Sequence, residues 1–375
     1  MEEKKMDKFE KIQNAVQMGA VSSRQDIPVY GHLCTYAAVV AGITQKELFT
    51  GNEAYLKALS TCYKRLDVSP DAVFPLGPAD ITFGEQMKLR IPGRELGDNE
   101  LFQFVEESIM REDDYHTIIE NGLTAWQFPY IASIQTPPIP ADEHLFERVG
   151  SRFMELGQNL GFNIRYWAEK GIPTFYHNSC FPAFDLFSLA RGMEDFFYDL
   201  YDEPELVKSA CRVATKEIIQ QTLQNSPAGS RVCIWAMRSS ATFLSPDMFE
   251  EFCWPHLKEM IEIFYKNGIV SVLHADADWE LMLPFFRELP KGSVIIELDG
   301  ATDIVKAKEI LNGYQCIAGD MPASILAFGD VKETNKYCNK LIDLALDGGM
   351  IIRSGCEIPL NAKEENVSAF LNCCR

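Results

Sequence analysis

The sequence contains no run approaching the ~20 consecutive apolar residues that cross a bilayer, so a membrane-spanning helix is not expected. Basic residues are few beside acidic ones, 35 against 54, for a formal charge of −19 over 375 residues. That imbalance excludes an indiscriminate phosphate-backbone binder and an anionic membrane surface, so neither nucleic acid nor membrane is an expected partner. It also disfavours a polyanionic substrate unless arginines cluster locally, and it favours a neutral or cationic small molecule. The eleven cysteines include no C-x-x-C pair and are odd in number, which argues against a disulfide framework or a zinc ribbon and for small core residues in a reducing compartment. Met1-Glu-Glu-Lys-Lys-Met6 lacks the apolar core of a signal peptide, so the cytoplasm is the expected location. The phosphate loop G-x-x-x-x-G-K-[ST], the strand-linked G-x-G-x-x-G, the G-x-S-x-G elbow and H-E-x-x-H are all absent. Nucleotide-driven chemistry and serine hydrolysis lose support accordingly.

What is present is a chain 47% apolar and 24% charged, with the length of one large domain or two ordinary ones. Eight short apolar runs alternate with helical stretches: residues 28–33, 72–76, 172–177, 232–237, 269–274, 294–298, 315–318 and 350–353. Their apolar continuity suits strands buried on both faces. Ser245-Pro246-Asp247 opens a helix that Pro255 should kink, Thr302-Asp303 opens another, and Asp330-x-x-Glu333 and Asn361-x-x-Glu364 read as capping boxes. Gly348-Gly349 marks a stop before the last strand. The pattern predicts an α/β fold, a (β/α)8 TIM barrel over residues 28–375. Residues 1–27 are expected to be a helical extension packed on its outside. Residues 81–140 read as an insertion over the barrel mouth, with a helix at 100–110.

Barrel chemistry sits at the C-terminal strand ends. Tyr30, His32, His177, Cys180, Trp235, Met237, Arg238, His274, Asp276, Glu297, Asp299, Asp320, Cys356 and Glu357 fall there. His274-Ala-Asp276 and Ser354-Gly-Cys356 are the sharpest pair, because imidazole, thiolate and carboxylate are donors that zinc accepts, and a catalytic zinc keeps its fourth position open. On spacing alone the commoner reading is structural, His274 as a hydrogen-bonded strand end and Cys356 as a small residue in a tight turn. Asp142-Glu-His144 begins like the D-x-H-x-x-G signature of corrinoid-binding modules, but Glu147 occupies the glycine position, so no corrinoid domain is fused here.

Taken in order, Ile27-Pro-Val-Tyr30, Ala41-Gly-Ile-Thr-Gln-Lys-Glu47, Phe243-Leu-Ser-Pro-Asp-Met-Phe-Glu-Glu-Phe252 with Pro255, Leu273-His274, Gly319-Asp-Met-Pro322, and Ser354-Gly-Cys-Glu-Ile-Pro359 with Glu365-Asn366 resemble the uroporphyrinogen decarboxylase superfamily. Within it, they resemble the branch of zinc-dependent methyltransferases that serve corrinoid proteins. The resemblance implies zinc bound by an H-x-C motif and a later G-C cysteine. His274 and Cys356 match, whereas Asp276 stands at the H-x-C cysteine, so either Asp276 or another acid such as Glu297 supplies the third ligand. It implies a methyl group moved between a small, O-methyl substrate and the cobalamin of a separate corrinoid-binding protein. His274, Asp276 and Cys356 would be catalytic, with Tyr30, His32, His177, Trp235, Met237 and Asp320 lining the substrate cavity. The metal-free decarboxylase branch carries an arginine-rich M-R-Q-A-G-R first strand. Tyr30-Gly-His-Leu-Cys-Thr35 replaces it here, so a decarboxylase relying on Asp80 and Arg238 is the alternative, and a non-catalytic corrinoid or ligand carrier is a third reading.

Overall fold

A computed structural model describes residues 6–84 and 86–375. Seven parallel strands form one curled sheet: β1 (Val29–His32), β4 (Asn178–Cys180), β5 (Arg231–Ala236), β6 (Val270–Ala275), β7 (Val294–Leu298), β8 (Cys316–Met321) and β9 (Met350–Glu357). Their order is β1-β9-β8-β7-β6-β5-β4. Two further strands, β2 (Lys88–Arg90) and β3 (Gln103–Val105), pair separately as an antiparallel hairpin. Helices connect successive strands of the large sheet and cover its outer face, as parallel pairing requires. The sheet interior carries its own apolar cluster, including Tyr30, Phe74, Phe175, Cys233, Val272, Ile295, Ala318 and Ile351, while a larger cluster lies between sheet and helices.

The expected eight strands are met in part. Residues 72–76 make a single parallel bridge, Val73 with Thr174, rather than a strand. Around it, Asp71 N–H donates to the Val29 carbonyl, Val73 N–H to Pro173 and Phe175 N–H to Val73. Pro75 cannot donate to a ladder, and the nearby Pro78 opens a helix, Pro78–Gly84, so the run is cut short. The third expected strand shifts to Asn178–Cys180, because Pro173 interrupts the apolar run that suggested residues 172–177.

Other expectations are corrected. Residues 100–110 are not a helix: Gln103–Val105 pairs with Lys88–Arg90, Phe104 and Phe49 both pack against Phe102, and Glu106 and Glu107 face Arg238 and Lys88. Aromatic contacts and ladder bonds across the hairpin outweigh the segment's helical spacing. The N-terminal helix Lys8–Val16 does not lie on the outside of the sheet. Ile12, Ala15 and Val16 are buried with the interior cluster, and a Cβ at Gly292 or Gly348, just before β7 and β9, would strike the backbone at Val16 or Gly19. The helix crosses the N-terminal ends of the strands, tied down by Lys11 to Asp71 at 3.1 Å. Asn361 caps nothing, since Glu364–Leu371 begins after Lys363 without a side-chain cap, whereas Asp330 and Glu333 do form their reciprocal capping pair. Before the helix Trp254–Lys266, residues Phe249–Cys253 form a wider turn that frees the backbone ahead of Pro255. No helix among the described residues is long and apolar enough to cross a membrane.

Candidate metal centre

His274 is the penultimate residue of β6, and its partner in register on β7 is Glu297, so both side chains leave the sheet on one face. Glu297 is held from three sides: His274 Nδ1 lies 2.7 Å from Oε2, Tyr30 OH donates to Oε1 at 2.6 Å, and Arg353, whose Nε–H donates to Tyr30 OH, forms an ion pair with Oε1 at 3.1 Å. A carboxylate on Nδ1 fixes that nitrogen as the N–H and leaves the Nε2 lone pair free. Nε2 points at Asp276 Oδ1, 3.4 Å away, and at Cys356 Sγ, 3.8 Å away.

The two arms carrying those donors are fixed by backbone contacts. Asp276 N–H donates to the Ala236 carbonyl, and the Asp276 carbonyl accepts from Trp279 Nε1 at 2.8 Å. At the end of β9, Ser354 Oγ donates to the Cys356 carbonyl and Arg353 Nη1 to the Gly355 carbonyl. Gly355 is required there, because a Cβ would sit 2.3 Å from the Asp299 carbonyl oxygen. The close approach delivers Cys356 to the strand-end face, where it is exposed.

The donor set fits zinc. One atom each from His274, Asp276 and Cys356 lie within 4.8 Å of one another. Tetrahedral bonds of about 2.0–2.3 Å place a nitrogen roughly 3.4 Å from an oxygen and roughly 3.6 Å from a sulfur, close to the 3.4 and 3.8 Å found. Electrostatics agree. Burial opposes a charge on His274, yet Asp276, the thiol and Glu297 together raise its pKa well above the ordinary value. A site so rich in negative charge attracts a cation in place of that proton. Burial also works against Glu297, but the Arg353 guanidinium and the His274 hydrogen bond outweigh it and hold the carboxyl at about 2.

The other expected site residues are distributed unevenly. Trp235 stands edge-on to His274, ring centroids 4.8 Å apart, and walls the centre. Tyr30 is buried behind the donors, hydrogen-bonded to Glu297 and Arg353, rather than open to a substrate. His32 is buried with its ring stacked 3.8 Å from Phe74, and neither ring nitrogen has a partner. Burial, with Arg353 and His274 nearby, keeps its pKa well below the ordinary value. His177 is not brought to the centre. It lies level with Arg231, the first residue of β5, where its Nδ1 accepts the Arg231 N–H. Four steps along the strand, roughly 13 Å, separate that level from Trp235. Asp320 is not brought there either: Tyr337 of the outer helix Val331–Ala345 donates to it at 2.8 Å, drawing the carboxylate away from the interior. Met237 follows β5 half-buried, its N–H directed at Asp185. Of the alternative pair, Arg238 is committed to Glu106 and the Ser188 carbonyl, and Asp80 accepts from Asn159. Glu297 stands behind the imidazole, not beside the other donors.

The residue that sequence reading passed over is Arg353. Its signal was available: a charged side chain inside Met350-Ile-Ile-Arg-Ser354, a run of otherwise buried strand, has to be paired.

The family model for uroporphyrinogen decarboxylase (URO-D) matches residues 180–375, over half the chain and all three donor residues. Among curated proteins, uroporphyrinogen decarboxylase 2, chloroplastic, of Oryza sativa subsp. japonica is 24% identical over 173 residues, which are 45% of this chain and 43% of that protein. The uroporphyrinogen decarboxylase of Hordeum vulgare is 24% identical over 173 residues, 45% of this chain and 51% of that one. The matched region thus spans about half the length of these relatives. Among solved structures, a methyltransferase from Methanosarcina mazei superposes with a TM-score of 0.67 at 15% identity, covering 98% of both chains, a likeness of fold. With the family model spanning β4 to the C-terminus and the fold shared end to end, the chain belongs to the uroporphyrinogen decarboxylase family.

Proposed function

We propose that the chain is a zinc-dependent methyltransferase, built on a (β/α)8 barrel, that moves a methyl group between a small O-methyl substrate and the corrinoid of a separate protein. The observation that carries this reading is the convergence of His274 Nε2, Asp276 and Cys356 at spacings a tetrahedral ion accepts. The methyltransferase from Methanosarcina mazei, similar in fold, supports it. Bound zinc supplies Lewis acidity that stabilises negative charge on the heteroatom releasing the methyl group. Asp276, an oxygen donor where the methyltransferase branch has sulfur, leaves the ion a stronger Lewis acid and favours an ether or alcohol oxygen over a thiolate. Glu297 orients His274, and Trp235 gives the opening an apolar wall. The substrate and the corrin ring would share the strand-end face on which Cys356 is exposed.

The test is metal content by elemental mass spectrometry, wild type beside His274→Ala and Cys356→Ala, followed by methyl transfer with a reduced corrinoid. About one zinc per chain in wild type, lost in both variants, is expected. A wild type that takes up no zinc after reconstitution refutes the proposal. The curated relatives favour a second reading, a metal-free decarboxylase. Asp80, buried with one carboxylate oxygen unpartnered, would be its acid. It predicts activity that survives Cys356→Ala and is lost in Asp80→Asn.

A further inference from the structure

We propose that Arg353 is a positioning residue that holds the imidazole arm and the thiolate arm of the metal centre in register; the inference rests on the metal reading of that centre. Arg353 is 1% exposed and reaches both arms at once. On one side, Nε meets Tyr30 OH at 2.9 Å and Glu297 Oε1 at 3.1 Å, and the other oxygen of Glu297 holds His274 Nδ1 at 2.7 Å. On the other side, Nη1 donates at 2.7 Å to the carbonyl of Gly355, the residue before Cys356. Tyr30 extends the link to β1 by donating to Glu297. One planar cation therefore joins four strands, β1, β6, β7 and β9, and is a single residue from the sulfur donor on one path and a single carboxylate from the nitrogen donor on the other.

Packing alone gives no reason for a charge at this depth. The neighbouring interior is filled by Val272, Ile295, Ala318 and Ile351, and well-packed apolar residues commonly match or exceed a buried ion pair in stability. What a guanidinium adds is direction, since its donors leave in fixed and divergent directions from one plane. A lysine at 353 would retain the positive charge beside Glu297 but lose the simultaneous reach to Gly355.

The experiment measures zinc affinity by competition with a chromophoric chelator for wild type, Arg353→Lys, Arg353→Met and Tyr30→Phe. Folding is checked by circular dichroism and thermal unfolding in the presence of a chelator. The cobalt(II)-substituted proteins are compared by absorption. The expected result is a 10- to 100-fold rise in zinc Kd for both Arg353 variants, the range seen when outer-shell partners are removed, and a smaller rise for Tyr30→Phe. The thiolate-to-cobalt charge-transfer band and the ligand-field bands should both change, because both arms are released. A merely structural Arg353 would leave Kd and bands as they are in any variant that folds, and wild-type zinc binding with folded variants within twofold of it overturns the inference while the metal centre stands. A wild type that binds no zinc overturns the metal reading itself. If Arg353→Met does not fold, Arg353→Lys and Tyr30→Phe, which change less volume, decide the question alone.

Discussion

Replacing Glu297 by glutamine keeps the volume of the side chain and removes only its charge. The ordinary carboxyl value of 4.5 falls to about 2 in the folded chain. At about 1.4 kcal/mol per pH unit the difference corresponds to roughly 3 kcal/mol of stabilisation of the charged form. Because the folded value lies below the unfolded one, this stability is fully present above about pH 4.5 and is lost as pH falls toward 2. The glutamine removes it at neutral pH and leaves Arg353 without its counterion. A second effect is chemical. An amide NH2 turned toward His274 Nδ1 forces that nitrogen to accept and moves the ring proton to Nε2, whereas an amide oxygen turned toward it sets the NH2 against Arg353 and accepts more weakly than a carboxylate. In both orientations the nitrogen facing Asp276 and Cys356 is held less firmly as an acceptor. Urea unfolding at pH 7 in chelator should show Glu297→Gln destabilised by roughly 2–4 kcal/mol, and chelator competition should show zinc bound 10- to 100-fold more weakly. A variant within 0.5 kcal/mol and twofold of wild type on the two measurements would refute the role assigned to the carboxylate.

Asp320, pushed up to about 6 by burial despite the Tyr337 hydrogen bond, keeps its proton in the folded chain after the unfolded chain has lost it. Its contribution is full below about pH 4 and is lost as pH rises through 6, so the stability of Asp320→Asn relative to wild type should grow across that window, by at most about 3 kcal/mol; parallel pH profiles in urea would contradict this. Arg238→Met should release Glu106 and with it the hairpin, seen as faster amide exchange at residues 103–107 with zinc content unchanged, whereas slow exchange there would show that the hairpin needs no anchor. Ile12→Ala should cost about 2–4 kcal/mol, because the side chain is buried with the sheet interior; a shift in Tm of under a degree would mean the N-terminal helix is peripheral after all.

Much of the parallel architecture was legible because strands buried on both faces are written as unbroken apolar runs, and β5 to β9 appear within a few residues of where those runs stand. The edges were not legible. Residues 72–76 look as strand-like as the rest, but their neighbouring prolines limit pairing to one bridge, and nothing in residues 8–16 says which end of the sheet an amphipathic helix will cover. The grouping of His274, Asp276 and Cys356 was legible because these residues are short-range neighbours of strand ends with a known donor chemistry. His177 and Asp320 were misplaced for the opposite reason: a strand-end position fixes neither the level at which a shifted strand begins nor the direction in which a side chain turns, and Arg231 and Tyr337 decide those. Arg353 was hidden in plain view, as a charge whose partners come from residues 30, 297 and 355 and are adjacent only in three dimensions.

The helix across the N-terminal strand ends lies beneath the side chains that fill the sheet interior. Below His274 the space is solid with side chains, and under them Ile12, Ala15 and Val16 form a floor. Of the three donors Cys356 is exposed, Asp276 half-buried and His274 buried, so a molecule coming from the strand-end face meets the sulfur before the imidazole. Under the proposed methyl transfer this order would impose a queue: the reactant nearer His274 would have to arrive before a large partner seated on that face and leave after it.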